Sequence, residues 1–178
     1  MIDFLAFDEG TSAIRGRVDL AGDRMADLLA LGELIPLFDV ELHDLRSRSV
    51  QTADATSVDP TRLAIVVATG PRGHFGRRIE TASRPVSLTI GRFMVHGFLH
   101  APYPADPIGQ VFDRTWIPLT DAVLEYQGPG RMCRERFDTL LVNRGAAKSL
   151  AAIAEAAYEV HWLAGGRSDL LPADALGV

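Results

Sequence analysis

A chain of 178 residues with 47% apolar content, 23% charged content and a net charge of −5 has an ordinary globular composition, long enough for a sizeable core. Met1 to Glu9 contains no basic leader, and no apolar run approaches the roughly 20 residues of a membrane helix, so neither a signal peptide nor a membrane partner is expected. The single cysteine, Cys133, excludes an internal disulfide and a thiolate metal cluster, which makes a reducing cytoplasm the default location.

In chain order, Ile2 to Phe7 reads as a strand, and Asp8 to Ser12 as a turn leading into a second strand. Along that strand Ile14, Gly16, Val18 and Leu20 alternate with Arg15, Arg17 and Asp19. Asp23 is placed to cap a short helix whose Met25, Leu28 and Leu29 share one face, and Gly32 stops it. From Ile35 to Leu42 the alternation slips at Asp39, which predicts a β-bulge with Asp39 as a turn-former rather than a catalyst. Pro36, which cannot donate to a ladder, is expected at an edge or at the bulge. Residues 46 to 61 are polar and without helical period, and read as a long hairpin loop. Ile65 to Gly70 closes this stretch as an apolar strand.

The pattern then recurs. After a basic junction from Gly70 to Arg78, Val86, Leu88 and Ile90 alternate, followed by the strand Val95 to Leu99. Asp106 and Pro107 open a second short helix with Ile108, Val111 and Phe112 on one face. Ile117 to Leu124 slips phase at Asp121, Gln127 to Arg131 makes a turn, and Leu140 to Gly145 is apolar again. Gly16 and Pro36 are 20 residues apart, Gly97 and Pro118 are 21 apart. Ala146 to Leu163 has helical spacing, and residues beyond Gly165 read as a loosely held terminus.

These elements predict an α+β protein of two pseudo-twofold-related βαββ repeats sharing a mostly antiparallel sheet or small barrel, plus a C-terminal helix. The first repeat would cover residues 1–76, the second 77–145, and the helix and tail 146–178, all in one compact domain. Residues 1 to 60 carry 12 acids and 5 bases, while residues 61 to 150 carry 7 acids and 12 bases, so one end of the chain complements the other.

No nucleophile elbow, Walker loop or Rossmann fingerprint is present. Asp8, Gly10, Thr11, Ser12 and Arg15 resemble the first phosphate-binding hairpin of the sugar-kinase and actin-like ATPase superfamily. That resemblance implies phosphate on the hairpin amides with Asp8 beside a metal, though the second phosphate loop and adenosine motif of that superfamily are missing. The same residues are also good turn chemistry. Asp8, Thr11, Ser12 and Arg15 are therefore the candidate ligand-binding residues, and Arg72, Arg77 and Arg78 a candidate anion or partner patch. With only Phe75 interleaved among these bases, specific nucleic-acid reading is not expected. His96 and His100 lie about 13 Å apart along a strand, and His43, His74 and His161 sit in unrelated segments. No metal set, cofactor or catalytic residue is expected, and no histidine near Cys133 in sequence would activate its thiol.

Arg24-Met-Ala-Asp-Leu-Leu29, Trp116-Ile-Pro-Leu-Thr-Asp-Ala122 and Leu140-Leu-Val-Asn-Arg144 together resemble a small bacterial domain of unknown function. Its pattern runs through a glycine-centred strand, an Arg-x-Ser-Asp-x-Leu-Asn helix, a Leu-Thr-Asp-Ala strand and a Leu-Val-Asn-Arg strand. Here Ala26 and Ala30 replace the Ser and Asn of that helix. The resemblance implies tandem copies of a β-rich fold with no known activity, and its similarity to Sm-type barrels implies RNA binding as a minor reading. The expected function is non-catalytic, a protein-interaction or self-assembly module acting as a homo-oligomer or on a protein partner. The alternative is a small-molecule or nucleotide-binding domain, with enzymatic activity as one form of it.

Overall fold

Period-two apolar patterns build a run of antiparallel hairpins. The computed structural model describes residues 1–21, 24–70, 80–168 and 170. The strands are β1 (Ile2–Asp8), β2 (Ser12–Val18), β3 (Ile35–Asp44), β4 (Val50–Val58), β5 (Leu63–Val67), β6 (Thr81–Ile90), β7 (Phe93–Pro102), β8 (Trp116–Gly128), β9 (Arg131–Asn143), β10 (Ala147–Ala152) and β11 (Gly166–Arg167). The helices are α1 (Met25–Ala30) and α2 (Glu155–Ala164). All the described strands join one sheet in the order β10-β6-β7-β8-β9-β5-β1-β2-β3-β4, with β11 alongside β9. No helix among the described residues is long and apolar enough to cross a membrane.

This architecture corrects the expected fold class: the protein is mostly antiparallel β, and it is not α+β built of βαββ repeats. Three segments account for the difference. Residues 50–58, expected in a loop, form β4, whose polar residues tolerate a strand because almost all of them are exposed. Residues 147–152, expected in a helix, form β10 because pairing with β6 overrides the helix propensity of alanine and leucine. The second expected helix is only a 3-10 turn, Gly109–Asp113. Asp23 lies outside the described residues, and Arg24 stands at the N-cap of α1. The expected dyad is absent too. The strands β1 to β5 pair in the order fifth, first, second, third, fourth, and β6 to β10 repeat it, but the two sets meet through β9 and β5. A fourth strand against a fifth is a head-to-tail junction of unlike edges, which no twofold axis generates.

Local backbone detail recurs between the sets. The β2·β3 register passes from Arg15↔Glu41 to Arg17↔Phe38, so β3 carries one extra residue opposite Gly16. The β7·β8 register passes from His96↔Val123 to Phe98↔Thr120, with the same excess opposite Gly97. Asp39 and Asp121 sit at these bulges with φ of 51° and 47°, in the left-handed region that aspartate tolerates better than most residues. A Cβ on Gly16 would lie 3.0 Å from the Phe38 carbonyl oxygen, and one on Gly97 3.1 Å from that of Thr120, so a side chain at either place would have to push the bulge carbonyl back by a few tenths of an ångström. Pro36 and Pro118 lie past the last pairs with β2 and β7, on a side where no partner strand needs their missing amide.

Two cores result. One holds Phe4, Ala6, Met25, Leu29, Ile35, Leu37 and Val66. The other holds Leu5, Phe7, Ile65, Val67, Val86, Leu88, Leu124 and Leu140. β1 and β5 thus form a wall buried on both faces, as their unbroken apolar runs require. α2 lies over β6 to β9 on the second set, and the Tyr158 hydroxyl donates to the Asp121 carbonyl at 2.6 Å.

Candidate functional site

The Asp8 to Arg15 hairpin is locally satisfied. Asp8 Oδ1 accepts from the amides of Gly10 and Ser12, both at 2.9 Å, so the amides a phosphate would use already donate to a carboxylate. The Thr11 carbonyl accepts from the Leu45 amide at 2.7 Å. Arg15 Nη1 lies 3.3 Å from Glu41 Oε2, and His43 Nε2 lies 3.0 Å from the same oxygen. The four candidate residues therefore do not converge. Asp8 and Ser12 open onto a cleft between β2, β3 and β4, while Arg15 belongs to an ion pair elsewhere. Arg72, Arg77 and Arg78 lie outside the described residues.

The cleft beside Asp8 and Ser12 is the next feature. It has a volume of about 470 Å³ and is lined by Ser12, Ile14, Leu42, Thr56, Val58 and neighbours. β4 borders it, and eight of its nine residues are exposed. Among the described residues β4 pairs only with β3, and β10 only with β6. The sheet therefore ends in two ladders of unmet amides and carbonyls, and such edges invite another strand unless proline, charge or a cover protects them. Within β4 there is one charge, Asp54, and no proline.

The second set carries a buried polar group that the sequence did not reveal. β7, β8, β9 and α2 bring His96, Glu125, Arg134 and His161 together. His161 Nδ1 and Arg134 Nε lie 2.7 Å and 3.0 Å from Glu125 Oε1, and His96 Nε2 lies 4.0 Å from it. The His96 and His161 rings stack with centroids 3.6 Å apart. His96 is 2% exposed and neither ring nitrogen has a hydrogen-bond partner among the described residues. Burial, with the charges of His161 and Arg134, pushes the His96 imidazole down to about 4, against the weaker pull of Glu125, so the ring is neutral at physiological pH.

Ligand atoms of His96, Glu125 and His161 fall within 4.8 Å of one another, the spacing a metal would need. Stacked imidazoles, however, aim their lone pairs in nearly parallel planes, and one Glu125 oxygen already serves His161 and Arg134. The geometry suits a clasp that holds α2 on the sheet better than a metal centre, whose donors converge. Sequence spacing could not have found it, because His161 reaches His96 only through the return of α2.

Nearby, the buried Glu135 carboxylate accepts from the Tyr126 and Ser168 hydroxyls, which ties residues 166–168 to β9 instead of leaving them loose. Burial first, and then Glu135, raises the Tyr126 phenol far above its usual range. A cleft of about 540 Å³ opens beside it, lined from both strand sets by His43, Arg48, Arg131, Cys133 and Arg134 among others. No protein-family model, curated protein or solved structure matches the chain.

Proposed function

We infer that this chain is a non-catalytic interaction module that works by accepting a strand at its open sheet edge, and that self-assembly is its principal form. The observation that carries the reading is β4: nine residues of strand, nearly all exposed, paired on one side only among the described residues and flanked by a cleft with apolar Ile14, Leu42 and Val58 in its wall. Main-chain hydrogen bonds would supply affinity, and the cleft would select alternate side chains of the incoming strand. The test is light scattering on the full chain over a concentration series, paired with a pull-down. A mass of more than one chain, or a specifically retained partner, is expected. A single-chain mass at every concentration together with an empty pull-down overturns the reading.

A second reading, capture of a small anion, is supported by Arg48 and Arg131 in the cleft that they share with Asp44, Glu135 and the Glu125-paired Arg134. Titration calorimetry with inorganic phosphate, repeated on Arg131→Ala, tests it. Heat from the wild type that the variant lacks is the expected signature, and no heat from either excludes this reading.

A further inference from the structure

We propose that the partner strand is supplied by a second copy of this chain: β4 of one molecule takes β10 of the next, in the register by which β9 already takes β5. This inference rests on the strand-addition reading and names its occupant. The two strand sets have the same order, so β4 is the counterpart of β9, and β10 the counterpart of β5. The registers fix the correspondence residue by residue. Leu37↔Thr56 matches Leu119↔Leu140 in two ladders that keep register, and Ala6↔Val66 matches Leu88↔Leu150 in two ladders that shift at equivalent places, after Phe7 in β1 and between Ala147 and Ser149 in β10. The internal junction pairs Ile65↔Val142, Val66↔Leu141 and Val67↔Leu140. Transferred to the open edges, it pairs Ser149, Leu150 and Ala151 of one copy with Val58, Ser57 and Thr56 of the next.

The concave faces support the same pairing. In the second set the positions of Ser12, Ile14, Leu42 and Thr56 are held by Phe93, Val95, Leu124 and Leu140, all buried because Leu5, Phe7, Ile65 and Val67 of the β1/β5 wall pack against that core. In the first set the same positions line an open cleft of about 470 Å³. The residues of β6 and β10 equivalent to that wall are Ser87, Thr89, Ser149 and Ala151, none of them fully buried. An all-apolar recess receives an all-apolar wall inside the molecule, whereas the mixed recess with Ser12 and Thr56 faces a wall of serine, threonine and alanine. Charge agrees: the transferred register, carried one step beyond its last pair, would set Lys148 near Asp59, the counterpart of Asn143. Unlike edges joined head to tail repeat until they close into a ring or extend as a filament.

The experiment uses the full chain with Cys133→Ser, bearing either Thr56→Cys or Ala151→Cys, both at exposed positions. The two variants are oxidised separately and as a mixture and read on non-reducing gels, with native mass spectrometry of the wild type alongside. A disulfide-linked dimer from the mixture alone is expected, since antiparallel partners lie within disulfide reach. Thr56→Lys, which puts a charge into the recess, should weaken assembly by about tenfold or more with an unchanged circular dichroism spectrum. Assembly whose cross-links form within one variant alone, or not at all, overturns the β4–β10 pairing and leaves self-assembly standing. A wild type that retains a different protein while remaining single also overturns it. A single chain at all concentrations with an empty pull-down removes both.

Discussion

Acidification should destabilise this protein through His96. The ring is 2% exposed, has no hydrogen-bond partner among the described residues, and is held neutral by burial and by the neighbouring His161 and Arg134, with a pKa of about 4 against an ordinary 6.5. The unfolded chain therefore takes up a proton near pH 6.5 that the folded chain refuses until about pH 4. The contribution of this group is complete above pH 6.5, falls as the pH drops through that window, and is exhausted below about 4. At about 1.4 kcal/mol per unit, the loss from this one group is on the order of 3 kcal/mol. Urea unfolding of the wild type and of His96→Leu between pH 4 and 8 measures it as the difference in slope. Leucine has no proton to take up and removes a buried polar group that lacks a partner, so the variant should lose little at pH 7 and be flatter in acid. Equal slopes for the two proteins, or a folded-state His96 resonance titrating near 6.5, would refute the reasoning.

Three further outcomes follow from the geometry. Gly16→Ala and Gly97→Ala each force a methyl against a bulge carbonyl, and chemical denaturation should show a loss of about 1–3 kcal/mol for each. At the left-handed Asp121, a glycine should leave the melting temperature nearly unchanged, whereas valine should cost about 1–2 kcal/mol. Tyr158→Phe removes the donor that reaches the Asp121 carbonyl, which should cost about 1 kcal/mol and raise hydrogen exchange in α2 before it does so in the sheet.

What the sequence showed depended on whether local chemistry or distant pairing decided the structure. The bulges were legible because an odd step in the alternation at Asp39 and Asp121 leaves a mark on the chain itself. β4 was not legible: Val50 to Val58 has no buried face, so no hydrophobic period distinguishes it from a loop. β10 was hidden for the opposite reason, since Ala147 to Ala152 has good helix propensity and becomes a strand only because the β6 edge is there to receive it. Of the site residues, Asp8 and Ser12 were legible as a turn and do line the cleft, but the partner of Arg15, Glu41, lies across a register no local motif encodes. The His96 clasp needed both a strand face and the fold-back of α2, and sequence spacing carries neither.

The divergence between the two strand sets follows from position in the sheet. Leu5, Phe7, Ile65 and Val67 face a second core because the β1/β5 wall has a neighbour on either side. Ser87, Thr89, Ser149 and Ala151 occupy the equivalent places in β6 and β10, where the described residues supply a full apolar core on one side and the other side carries only α2, which packs over β6 on the His96 face. A leucine or phenylalanine at those outer positions would leave an apolar patch on every free molecule and favour indiscriminate aggregation. Serine, threonine and alanine let the edge stay in water and still pair through the backbone, which suits a contact that forms and dissociates with concentration. Ser87→Leu combined with Thr89→Phe, restoring the side chains of the internal wall, should therefore convert reversible association into a tighter complex whose dissociation midpoint falls by about tenfold or more, since each buried apolar side chain contributes about 1.5–3 kcal/mol. Sedimentation at a series of concentrations reads the midpoint. An unchanged midpoint with a folded variant would mean that these outer faces do not meet a second molecule.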